Sequence, residues 1–135
     1  AGDPSFYKKR FEIEEALNLA AALVNLGYAL VPHEKHAEAE LLLREALETR
    51  RKHMPEDNWL IPSAESILGE AIAGQGRYSE AEPILLQAYA TLKQTTLTPP
   101  ENLQRARECI VRLYEQWGKP EKAAEFEIQI PPNSR

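Results

Sequence analysis

A block of sequence returns after 42 residues, and that spacing governs what this chain can fold into. The run His36-Ala-Glu-Ala-Glu-Leu-Leu-Leu-Arg-Glu-Ala-Leu47 comes back as Tyr78-Ser-Glu-Ala-Glu-Pro-Ile-Leu-Leu-Gln-Ala-Tyr89. Laid without gaps over residues 68–92, residues 26–50 agree at 9 of 25 positions: Leu26, Gly27, Ala29, Glu38, Ala39, Glu40, Leu43, Ala46 and Thr49. A fainter third copy puts Gly118 under Gly76 and Ala123 under Ala81. Periods of about 20–50 residues mean stacked units, each with an apolar face that it cannot bury alone. Such a chain presents surface; it is not built around one pocket.

The local signals are helical throughout. Asp3-Pro4 reads as an N-cap followed by proline at the first helical position. Leu19, Leu23, Leu26 and Leu30 recur at helical spacing until Pro32 ends the first helix. A second helix is predicted over 35–53, with Leu42, Leu43, Ala46 and Leu47 inward, and Met54-Pro55-Glu56-Asp57-Asn58 breaks it. A third begins near Pro62 and runs to the Gly74-Gln75-Gly76 turn. Ser79 and Glu82 have capping-box spacing, and proline belongs near a helix start, so the fourth helix is expected from about Pro83 to Lys93. The fifth covers about 101–117 and the sixth about 120–128. No strand pattern survives.

Three helix pairs follow, with units at about 20–54, 62–94 and 101–128, a helical extension over 1–19 and a frayed tail at 131–135. Gly27 with Ala39, and Gly69 with Ala81, put small residues where paired backbones must approach to about 8–10 Å. Leu26, Leu30, Leu43, Leu68, Ile72 and Leu85 are expected in the seam between pairs, with Tyr114, Trp117 and Ala123 in the equivalent role in the third. Gly76 and Gly118 supply the positive φ that ends one helix before the next. Trp59, between the first two units, is expected to cap their seam.

These positions resemble the tetratricopeptide repeat family: Leu26-Gly27-x-x-Leu30 with Ala39-x-x-x-Leu43-x-x-Ala46, and Leu68-Gly69-x-x-Ile72 with Gly76-x-Tyr78 and Ala81-x-x-x-Leu85-x-x-Ala88. The resemblance spans about residues 20–128 and implies an all-α right-handed superhelix. A 42-residue period with a Pro-Glu-Asp loop is similar to the kinesin-light-chain subclass. Residues 75–83 and 113–124 resemble repeat arrays that follow the catalytic domain of some bacterial serine/threonine protein kinases. The third unit departs most, with Val111 where glycine is usual and Glu127 where a large apolar residue is usual, as suits a solvent-facing end.

The resemblance implies a groove lined by the first helix of each pair: Ala21, Val24, Tyr28 and Val31, then Ser63, Ser66, Glu70 and Ala73, then Arg105, Glu108 and Arg112. Val24 and Tyr28 replace the Lys and Asn of the family's carboxylate clamps, so a clamp is not expected. The groove instead runs from an apolar, aromatic end to Arg105 and Arg112, two turns apart on one face, and fits a peptide with an apolar anchor and an acidic end. The alternative for these arginines is pairing with Glu108 and Glu115.

A net charge of -5 speaks against binding a nucleic-acid backbone. No window is expected to span a membrane. The lone Cys109 leaves no internal disulfide or cysteine metal cage, and its half-apolar helical setting reads as a buried thiol. His33-Glu34-Lys35-His36 is not a His-Glu-x-x-His motif and sits at a polar turn. No cofactor, metal or catalytic residue is implied. The expected function is a non-catalytic scaffold for a protein or peptide partner, in the cytoplasm; the alternative is an intramolecular regulatory segment of a kinase-like protein. The start at Ala-Gly-Asp-Pro, without methionine, reads as a piece of a longer chain.

Overall fold

The computed structural model describes residues 3–127, all of whose regular structure is helical. The helices are α1 (Pro4–Leu30), α2 (His36–His53), α3 (Leu60–Ala73), α4 (Tyr78–Gln94), α5 (Pro100–Gln116) and α6 (Pro120–Glu127). They pack as consecutive neighbours, α1 on α2, α3 on α4 and α5 on α6, with each pair stacked on the next. This is a tetratricopeptide-like helical solenoid. The expected end of the sixth helix at Ile128 and the tail at 131–135 lie outside the described residues.

The helix starts follow local chemistry. Asp3 caps α1, its carboxylate accepting from the Ser5 N–H at 3.0 Å, with Pro4 at the first helical position. Asn58 accepts from the Leu60 N–H at 3.0 Å, which starts α3 two residues ahead of Pro62. The start of α4 corrects the expected one. Its first residue is Tyr78, Pro83 lies inside the helix, and Arg77 stands at the N-cap without a side-chain capping bond. The capping box from Ser79 to Glu82 therefore does not form. Pro83 is only the sixth helical residue, so its ring costs the helix one backbone bond, to the Ser79 carbonyl. Helix α4 tolerates this because its first turn is held by ion pairs.

All three pairs close with the same bond. The N–H of Lys35, Arg77 and Lys119 donates to the carbonyl of Leu30, Ile72 and Tyr114, respectively, five residues back. Each turn needs a left-handed residue just before the donor. Gly76 and Gly118 supply it at φ 82° and 76°, but the first turn uses Glu34 at φ 60°. After Leu30, a short 3-10 turn, Val31–His33, leads into it.

The core runs the length of the stack, with Leu43, Leu47, Ile72, Leu85, Leu92, Ile110 and Leu113 fully buried. Gly27 lets Leu43 in, and Gly69 admits Leu85 closer still. In the third unit Tyr114 and Ala123 are buried, and Trp117 stacks between Tyr114 and Tyr78. Trp59 packs half-buried against the core beside the loop, where Arg50 donates to the Leu60 carbonyl at 2.9 Å. Leu26 corrects its expected place: it is 50% exposed. Its counterpart Leu68 is covered by the preceding unit, and α1 has none before it among the described residues.

The expectation of no membrane-length window also needs correction. Pro4–His33 is long and apolar enough to cross a membrane by length and composition, at a mean hydropathy of 1.3 over its best window, 22% of which is buried. The buried Ala20, Val24 and Gly27 show that apolarity used inside a helix pair.

Candidate functional site

The 42-residue offset sets identical positions of α3 and α5 side by side, and their side chains meet. Ser63 accepts from Arg105 Nη2 at 3.0 Å, and Glu70 accepts from Arg112 Nη2 at 3.0 Å; each pair is one repeat apart. Asn102 also donates to Ser63 Oγ, at 3.1 Å. The Arg105 guanidinium lies 4.9 Å from the centre of the Tyr28 ring, so it faces α1 and α3 together. An arginine over an aromatic face gains roughly 0.5–2 kcal/mol, depending on how dry the contact is.

The expected groove residues thus divide. Tyr28 (46% exposed), Glu70, Arg105, Glu108 and Arg112 gather on one face, with half-buried Val31 at its end. Val24 (9% exposed) and Ser66 (1% exposed) do not line it; they face the core. Both sit one turn before an outward residue, Tyr28 and Glu70, and Val24 is buried with Ala20 and Gly27 on the inward side of α1. The arginines do not pair with Glu108 or Glu115. Glu108 accepts from Gln104 at 3.0 Å, one turn away in the same helix.

At the Arg112 end a concavity of about 380 Å³ opens between Val31, His36, Glu70, Gly74, Cys109 and Arg112. A side chain at Gly74 would run into the His36 imidazole, so glycine there lets the ring lie flat against α3. His36 Nδ1 is buried and has no hydrogen-bond partner. The Cys109 thiol donates to Glu70 Oε2 at 3.1 Å. Burial first, and then the Glu70 carboxylate, push this thiol far above its ordinary value, so it remains a protonated donor. His33 is exposed and His36 half-buried, and among the described residues no group of three or more His, Cys, Asp or Glu could hold a metal ion.

A second polar cluster, around Glu40, Glu80 and Glu82, escaped the sequence reading. Glu40 accepts from Arg77 at 2.7 Å, Arg44 at 2.8 Å and Gln75 at 2.9 Å, and Arg77 also reaches Glu80 at 2.6 Å. Burial acts to raise the Glu40 carboxyl, but the bonds from Arg77, Gln75 and Arg44 outweigh it and hold the group at about 2. One repeat later, Glu82 accepts from the Tyr114 hydroxyl at 2.7 Å. Glu40 and Glu82 each lock their own helix to the following pair. Their identity across the repeat was the available signal.

Fold and face together define a helical-repeat protein whose first helices carry the exposed polar and aromatic surface. The family model described as Tetratricopeptide repeat matches residues 19–59, the second half of α1 with α2 and the loop up to Trp59. This match supports a tetratricopeptide repeat protein. It reaches neither the kinesin-light-chain subclass nor the kinase-tail resemblance. No curated protein matches the sequence.

Proposed function

We propose that this chain is a protein–protein interaction module of the cytoplasm that holds a peptide segment across α1, α3 and α5. Tetratricopeptide repeats generally mediate protein–protein contacts and are typically non-catalytic scaffolds. The reading is carried by one observation: Tyr28, Arg105 and Arg112, from the first and third units, share a face with a concavity at its end. Tyr28 offers an apolar anchor. Arg112 spends one nitrogen on Glu70 and keeps donors for a second carboxylate. The segment that fits has an aliphatic or aromatic residue near Tyr28 and acidic residues towards Arg112.

The test is selection from a random peptide display library, followed by binding measured at low and high salt. Wild-type protein should enrich peptides with an apolar residue followed by acidic ones. Tyr28→Ala should speed dissociation with little salt dependence, because packing is lost. Arg105→Gln with Arg112→Gln should weaken binding most at low salt, where screening beyond about 10 Å is least complete. Selected peptides that bind the triple variant as tightly as wild type would place recognition elsewhere.

A further inference from the structure

The repeat puts three different chemistries at one position of the exposed face. Tyr28, Glu70 and Arg112 stand 42 residues apart, at the same place in α1, α3 and α5. Helix α3 lies between the other two, and its charged residue on this face is Glu70. A segment that runs from Tyr28 to Arg112 therefore crosses an acid halfway. Glu70 cannot step aside. Arg112 Nη2 holds its Oε1 at 3.0 Å, and the Cys109 thiol donates to its Oε2 at 3.1 Å. Cys109 stands where the preceding unit has Ile67, and each is 2% exposed. The thiol is thus a polar exception at an apolar position, turned on this carboxylate. The Glu70 side chain stays 20% exposed, and each oxygen has room for one more donor.

We infer that Glu70 sets the charge pattern of the partner segment, with acids confined to the Arg112 end and a hydrogen-bond donor, best a lysine, over α3. This rests on the groove reading and sharpens it. The face has little net field to draw a run of acids, because Glu70 and Glu108 offset Arg105 and Arg112. An acid over α3 meets a half-buried carboxylate that solvent screens poorly. A lysine there adds a charge-assisted bond to an oxygen that can still accept. The spacing follows from the stack. Packed helices stand about 8–10 Å apart, so two steps span roughly 16–20 Å, which an extended segment covers in about five or six residues. The donor belongs near the middle, about three residues from the apolar anchor.

Fluorescence anisotropy tests it with the tightest peptide from the display selection, each residue replaced in turn by glutamate and by lysine. With wild-type protein, the position about three residues from the anchor should favour lysine over glutamate by about tenfold or more. Glu70→Gln keeps the side chain's size and can still accept from Cys109, and circular dichroism should show its helix retained. That variant should reduce the preference to less than about twofold, while the acid at Arg112 still contributes. Glu65→Gln removes the other acid of α3, where it pairs with Arg51, and should change nothing. A lysine preference that survives Glu70→Gln overturns the inference. So does indifference at every position of a peptide that depends on Tyr28 and Arg112, and either result leaves the groove reading standing. A selection without any peptide that depends on Tyr28 and Arg112 removes both.

Discussion

Replacing Gly69 by alanine separates helix propensity from packing more sharply than any other change in this molecule. Alanine is favoured over glycine inside a helix by about 1 kcal/mol, so propensity alone predicts a gain at this position of α3. A Cβ on Gly69 would stand 2.6 Å from both Cγ and Cδ2 of Leu85, far inside contact distance. Leu85 is fully buried in α4 and cannot swing out of the way. Overpacking of this kind costs about 1–3 kcal/mol, and a clash with a branch carbon belongs at the upper end. The expected net effect is a loss of about 1–2 kcal/mol, which lowers the melting temperature by roughly 3–10 °C in a chain of this size. Gly27→Ala is the internal control. Its new methyl would meet Leu43 Cγ at 3.0 Å, a shift of a few tenths of an ångström relieves it, and the propensity gain should nearly cancel the cost. Urea and thermal unfolding followed by circular dichroism at 222 nm read both variants. Adding Leu85→Ala completes a double-mutant cycle, in which the pair should cost less than the sum of the single changes. A Gly69→Ala protein that melts at or above wild type would refute the close approach of α3 to α4.

Two further outcomes are expected. Glu34→Gly should stabilise the fold by up to about 1 kcal/mol in urea unfolding, since it removes a side chain from a left-handed position, offset partly by the added freedom of the unfolded chain. Glu40→Gln should destabilise by about 1 kcal/mol at neutral pH, a modest figure because Arg44 and Arg77 are half in solvent. The folded Glu40 binds a proton less readily than the unfolded one, so its contribution is present above its ordinary 4.5 and disappears as pH falls towards about 2. The stability difference between wild type and variant should close across that window, and a constant gap would contradict the pairing.

The repeat made most of the architecture legible before any coordinates. Matching positions 42 residues apart marks Gly27 and Gly69 as points of close helix approach, but the partners of Arg105 and Arg112 were sought on their own helix and lie one repeat back, at Ser63 and Glu70. Sequence reading failed where a helix is apolar on nearly every side. In α1 the spacing of Leu19, Leu23, Leu26 and Leu30 marks helix but not which face is inward, so Leu26 was put in the seam and Val24 in the groove. The start of α4 was misjudged because Pro83 has a local preference, whereas Arg77 draws its stabilisation from Glu40 on another helix. No local pattern announces a bond across 37 residues.

The pairs Ser63–Arg105 and Glu70–Arg112 give the exposed face a mechanical property. Each joins the same point on successive units, so together they act as tie rods that set how steeply one unit leans on the next. Asn102 adds a second bond from α5 to Ser63, and the Cys109 thiol a second one to Glu70, so each rod is doubled at its α3 end.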